Sequence, residues 1–283
     1  GENRSMFEKF ARSWELVKAS ASVLRSDKEL MLFPVLSSIA ALVVLATFAL
    51  PMVFFNVFDG RGFNVGGAVV AFLFYFCQYA VIIFFNAALV AAATIRLEGG
   101  DPTLGDGLRA ARERLPAILG YAAIAATVGM LLQALKNRDN NFIVRMIGSG
   151  LGVAWTLATF LVVPVLVNRN VGPIDALKES IALLKRTWGE NAIGNVGIGA
   201  AFGLVFFALV VVFLVLAFAA FSVSVSLGIA VVVLAVLTLV FLGIVQAALS
   251  GIYSAALYRY ATAHESPQAF AGLDLAHAFQ PKS

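Results

Sequence analysis

From Asn191 to Tyr258 the chain runs 68 residues without a Lys, Arg, Asp or Glu. No soluble domain of ordinary size hides so long an apolar stretch. About 20 apolar residues cross a bilayer core, so the run holds two crossings joined by a tight turn. Its Ser-rich break, Phe221-Ser222-Val223-Ser224-Val225-Ser226-Leu227-Gly228, places that turn. Apolar residues make up 61% of the chain and charged residues 13%, against roughly 45–50% and 25% in soluble domains. The chain reads as an all-α integral membrane protein.

Charge-poor windows fall at Leu30–Phe58, Gly66–Ile95, Leu115–Leu135, Met146–Val167, Ala192–Phe221 and Leu227–Leu257. Each spans a ~30 Å core as a helix. Helix is required because lipid offers backbone N–H and C=O groups no partner. A barrel would alternate apolar and polar residues, and these windows are apolar all round. Sixteen Lys and Arg fall on one side of this layout and four on the other. The positive-inside rule therefore places both termini in the cytoplasm of a cell whose inner membrane holds the protein. Fourteen Asp and Glu share that side, so it is not the polybasic surface that marks lipid-specific binding.

Each pair of spans follows a short amphipathic segment. Phe7, Phe10, Trp14, Val17 and Ala21 recur at helical spacing beside Lys9, Arg12 and Lys18. Leu104, Leu108, Ala111 and Leu115 do so beside Arg109 and Arg112. Leu177, Ile181, Leu184 and Trp188 form the third stripe, with Lys178, Lys185 and Arg186 opposite. Such helices lie in the headgroup plane, basic residues meeting phosphates. The expected fold is thus six transmembrane helices as three hairpin repeats, each preceded by a cytoplasmic amphipathic interfacial helix. Residues 1–5, ahead of Met6, read as an added remnant outside the fold. Residues 6–262 form a single membrane domain with repeats near 6–98, 99–170 and 171–262, and 263–283 a cytoplasmic tail.

The run Asp175-Ala176-Leu177-Lys178-Glu179-Ser180-Ile181 to Thr187-Trp188-Gly189-Glu190, the opening Arg12-Ser13-Trp14 and the closing Leu257-Tyr258-Arg259-Tyr260-Ala261 carry a resemblance. With the layout around them they resemble a family of uncharacterised bacterial six-span membrane proteins, over most of the chain from Met6 onward. More distantly, the arrangement is similar to the membrane domain beside some glycerophosphodiester phosphodiesterases. That likeness implies a fold only, because the catalytic domain is missing.

Chemistry is sparse. No ionisable group lies deep in a span, and such groups mark ion and substrate pathways. Cys77 is single and His264 and His277 are thirteen apart near the end, which suits neither a disulfide nor a metal site. No motif joins a histidine to a nucleophile, so no catalytic residue, metal or cofactor is expected. Gly148 and Gly152, like Gly199 and Gly203, have the spacing of close helix contacts. Pro51 and Pro164 sit near span ends, where mild kinks are expected. Candidate lipid or interface residues are Arg12, Trp14, Lys18, Arg109, Arg112, Lys178, Lys185, Arg186 and Trp188. Candidates for a shared polar cavity are Gln78, Asn86 and Gln246. The function expected is a non-enzymatic scaffold, assembly or lipid-interacting module. The alternative is a small-solute transporter or channel of three parallel repeats. Expected partners are membrane lipids and a protein partner or homo-oligomer; nothing points to nucleic acid.

Overall fold

The computed structural model describes residues 21–55, 65–137, 142–188 and 193–263. Arg12, Trp14 and Lys18, the first amphipathic stripe apart from Ala21, and the tail histidines lie outside them. The described helices are α1 (Leu32–Phe54), α2 (Val65–Leu97), α3 (Leu104–Glu113), α4 (Leu115–Asn137), α5 (Phe142–Thr159), α6 (Val162–Asn168), α7 (Pro173–Trp188), α8 (Ile193–Val223) and α9 (Val225–Ala263). Six helical stretches are long and apolar enough to cross a membrane, the make-up of a multi-pass membrane protein. Their limits follow the charge-poor windows, and the turn between α8 and α9 falls at Ser224. Ser224 Oγ accepts the Leu227 N–H at 3.2 Å, capping α9. Phe221 folds over that turn onto Gly228, where an added Cβ would stand 2.3–2.5 Å from three ring atoms.

The fourth span departs from the expected single helix. Pro164 cannot donate to the carbonyl four residues back and its ring crowds that carbonyl, so the helix breaks at Phe160–Leu161. The break is stitched from outside. Ser180 on α7 donates its Oγ–H to the Ala158 carbonyl at 2.8 Å and accepts the Leu161 N–H at 3.1 Å. Leu161, Val162, Val165 and Leu166 are fully buried, so α6 lies inside the bundle.

α2 is the central helix, touching α1, α3, α4, α6 and α9, while α8 has its main contact with α9. The core sits towards the end bearing Arg96, Arg169 and Arg259, called here the basic end; Ala87, Ala88, Val90 and Ala93 of α2 are fully buried there. α3 crosses α2 at Gly107, where a Cβ would come within 2.6 Å of the Ala88 carbonyl oxygen. Gly120 against Pro173, Gly129 against Tyr79 and Gly251 against Leu89 are further close approaches. The spacing-based expectation fails at Gly152, Gly199 and Gly203, where an added Cβ meets nothing within 4 Å. Spacing marks a face that could accept a helix, and in these places no described helix crosses it.

α3 begins with a capping box. Thr103 Oγ1 accepts the Asp106 N–H at 3.2 Å, and the Asp106 carboxylate accepts the Thr103 N–H at 3.0 Å and its hydroxyl at 2.7 Å. The Thr103 hydrogen bonds hold the Asp106 carboxyl below its usual value. A carboxylate with a depressed folded pKa stabilises the folded state above its unfolded pKa, and the contribution is lost as pH falls through the folded value. Hydrogen exchange at the Asp106 and Gly107 amides should therefore speed up below the usual carboxylate range, beyond what intrinsic exchange predicts. Asp106→Asn should remove that pH dependence, and Thr103→Ala, which keeps the backbone N–H of the box, should reduce it; an unchanged profile in Asp106→Asn would show that the box does not hold the turn.

Candidate functional site

The sequence places hydroxyl and amide side chains on the inner faces of α2, α4, α5 and α9, and packing leaves space between them. A recess of about 510 Å³ is walled by these helices, the first turns of α1, and the break in the fourth span. On α2 its lining runs from Tyr79 to Leu89. At 1.5 Å per residue this lies about 12–27 Å along α2 from its end at Leu97, hydrocarbon depth if that end marks the interface. α5 and α9 make no extended contact with each other. Lining residues Ile82, Thr156 and Ala247 are exposed, so the recess opens sideways between α5 and α9.

The polar groups of this wall are uncharged. Asn86 is half-buried beside Gly251, and its amide makes no hydrogen bond with any described residue. Thr156 Oγ1 donates to the Gly152 carbonyl at 3.0 Å, Thr159 Oγ1 to the Trp155 carbonyl at 2.8 Å, and Ser254 Oγ to the Gly251 carbonyl at 2.9 Å. The buried Tyr121 hydroxyl lies beside Thr159. Phe33, Phe85 and Phe160 supply the apolar part of the wall.

Of the three polar residues expected to share a cavity, Asn86 lines the recess and the other two do not. Gln78 turns to α1, its amide nitrogen donating to the Ala41 carbonyl at 3.1 Å, with its buried Oε1 unpartnered among the described residues. Gln246 is half-buried on α9, outside the lining. The break explains the gathering at Asn86 better than amide content does, because it sets Trp155, Thr156 and Thr159 in the wall that faces α2 across the recess. Periodicity gives no sign of Ser180's part in the break. The buried Tyr253 hydroxyl has no partner among the described residues, and its ring lies 6.0 Å from Phe160.

The basic candidates lie elsewhere. Arg109 and Arg112 are exposed on α3, and Lys178 and Lys185 on α7. Lys178 pairs with Asp175 at 3.5 Å, both well exposed, a pair of little energetic weight. The side chains of Arg186 and Trp188 lie outside the described residues. α7 turns Ala176, Ser180 and Leu183 innermost, one position away from the apolar stripe Leu177, Ile181, Leu184. The break it serves requires a small polar face, and the larger residues flank it. Arg169, after α6, holds Glu179 of α7 at 2.6 Å.

A family model described as a family of unknown function, DUF6159, matches residues 65–268, well over half the chain. The chain belongs to that family. No curated protein and no solved structure matches it. The comparisons give no support to the likeness to glycerophosphodiester phosphodiesterase membrane domains.

Proposed function

We propose that this family member is a non-enzymatic, lipid-interacting protein of the inner membrane that takes an amphiphilic molecule from the bilayer into the recess between α5 and α9. Both termini lie in the cytoplasm, and the basic faces of α3 and α7 rest against headgroups. The observation that carries this reading is the sideways-open recess in the middle of the helix bundle, with an Asn86 amide in its wall that has no partner among the described residues. Ligand sites are typically concave, mostly apolar and about 300–1,000 Å³, with a few converging polar groups. This recess has that make-up.

Ala247→Trp, at the exposed rim, should block entry while leaving the packed core intact. Native mass spectrometry of the purified chain should find a lipid retained by the unaltered protein and lost from the variant. Equal retention by both would refute a ligand in the recess. For topology, a reporter fused after Ser283 should be active in the cytoplasm only, and activity outside would overturn the orientation.

The break in the fourth span favours a second reading, transport of a small solute, because discontinuous helices form the binding sites of many transporters. Solute flux in proteoliposomes that Ala247→Trp leaves unchanged and Asn86→Leu abolishes would favour transport over lipid binding.

A further inference from the structure

We propose that the recess selects an uncharged amphiphile with a hydroxyl head, which both donates and accepts hydrogen bonds: a lipid alcohol, of which a diacylglycerol is the simplest test case. This rests on the preceding reading and adds the chemistry of the ligand.

Two observations set that chemistry. The recess has no Lys, Arg, His, Asp or Glu among its lining residues. An ionised head drawn to hydrocarbon depth without a counter-charge is costly to desolvate, so phosphate and ammonium heads are disfavoured. The second observation concerns where the hydroxyl protons go. Those of Thr156, Thr159 and Ser254 are committed to carbonyls of their own helices. What these side chains turn outward is oxygen lone pairs, since a hydroxyl has one proton and two acceptor sites. Asn86 adds an acceptor and two donors, none of them used within the described protein. Ser37, Tyr79, Tyr121, Trp155 and Ser250 bring O–H and N–H donors to the same wall. The wall therefore offers both donors and acceptors, and its natural complement is a hydroxyl, which is both at once.

The shape agrees. About 510 Å³ accommodates a glycerol-sized head and the first carbons of its chains, as a single water occupies about 30 Å³. The remaining chain length leaves between α5 and α9 into the bilayer. Phe33, Phe85 and Phe160 meet the chain carbons.

The test compares three probes with identical acyl chains on the full-length protein in nanodiscs: diacylglycerol, its O-methyl ether and phosphatidic acid. The ether removes the donor and keeps the bulk; the phosphate adds charge. Diacylglycerol should bind about tenfold or more tightly than either, because a site built around a hydrogen bond rejects the analogue that lacks it. Asn86→Leu and Thr159→Val should each weaken diacylglycerol binding several-fold and leave the ether unaffected. Thermal unfolding of both variants identifies a loss due to misfolding. If the ether or phosphatidic acid binds as tightly as the alcohol, and Ala247→Trp lowers binding of all three, the recess takes an amphiphile and the alcohol assignment is wrong. If Ala247→Trp changes no probe's binding, the recess reading itself falls, and the assignment with it.

Discussion

Ser180→Ala is expected to destabilise the protein by about 2–3 kcal/mol, the upper part of the range for leaving a buried donor without a partner. Ser180 is fully buried, and its hydroxyl serves both sides of a broken helix: the Leu161 N–H and the Ala158 carbonyl. Alanine fits the space but returns neither bond. The site is fully buried within the protein and holds little room for water to replace them, so the cost approaches that of transferring a bare amide into an apolar medium. Reversible unfolding in mixed micelles measures it, with Ala182→Ser on the exposed side of α7 as the neutral control. A loss below about 0.5 kcal/mol would mean that the break is satisfied without α7. The recess should respond as well, because Thr156 and Thr159 lie on the turn that Ser180 holds.

Gly107→Ala is expected to cost about 3 kcal/mol, the high end for overpacking. The new Cβ would stand 2.5 Å from Phe33 Cζ and 2.6 Å from the Ala88 carbonyl oxygen. Phe33 is itself buried and cannot swing aside, and a backbone oxygen has no rotamer to change. α3 must therefore lift away from α2. Gly105→Ala on the same helix, whose Cβ would meet only the Thr103 hydroxyl at 3.6 Å, should be nearly neutral. Similar stabilities for the two variants would place α3 further from α2 than described.

These two residues show where the sequence informs and where it is silent. The spans were legible because hydrocarbon solvates them: exclusion of charge marks their length whatever the packing. The tight turn at Ser224 was legible for the same reason, as a Ser-rich break midway along a long apolar run. Packing is decided by which faces meet, and periodicity alone does not say that. The glycine pairs at four-residue spacing drew attention, yet the close approaches occur at Gly107, Gly120, Gly129 and Gly251, which belong to no such pair. Pro164 was visible, but its effect depends on whether a neighbour can stitch the opened backbone, and that neighbour lies 16 residues further along the sequence. Ser180 reads in sequence as one more polar residue of an amphipathic helix. Asn86 could be singled out because an amide in an apolar helix is unusual; its separation from Gln78 and Gln246 follows from helix rotation, which only the assembled bundle fixes.

The length of α9 carries a consequence for the surrounding membrane. It has 39 residues, and its charge-free part from Val225 to Leu257 measures about 50 Å at 1.5 Å per residue. The hydrocarbon layer is about 30 Å thick. The stretch of α9 from Ala248 to Tyr258 is mostly buried against the other helices, so lipid has to cover only Val225 to Ala247, about 34 Å. A lean of about 30° fits that length within the layer, inside the usual range up to about 40°. α8 leans with it, since the two helices join through the single residue Ser224, so a thinner bilayer should be met by a steeper slant of the pair.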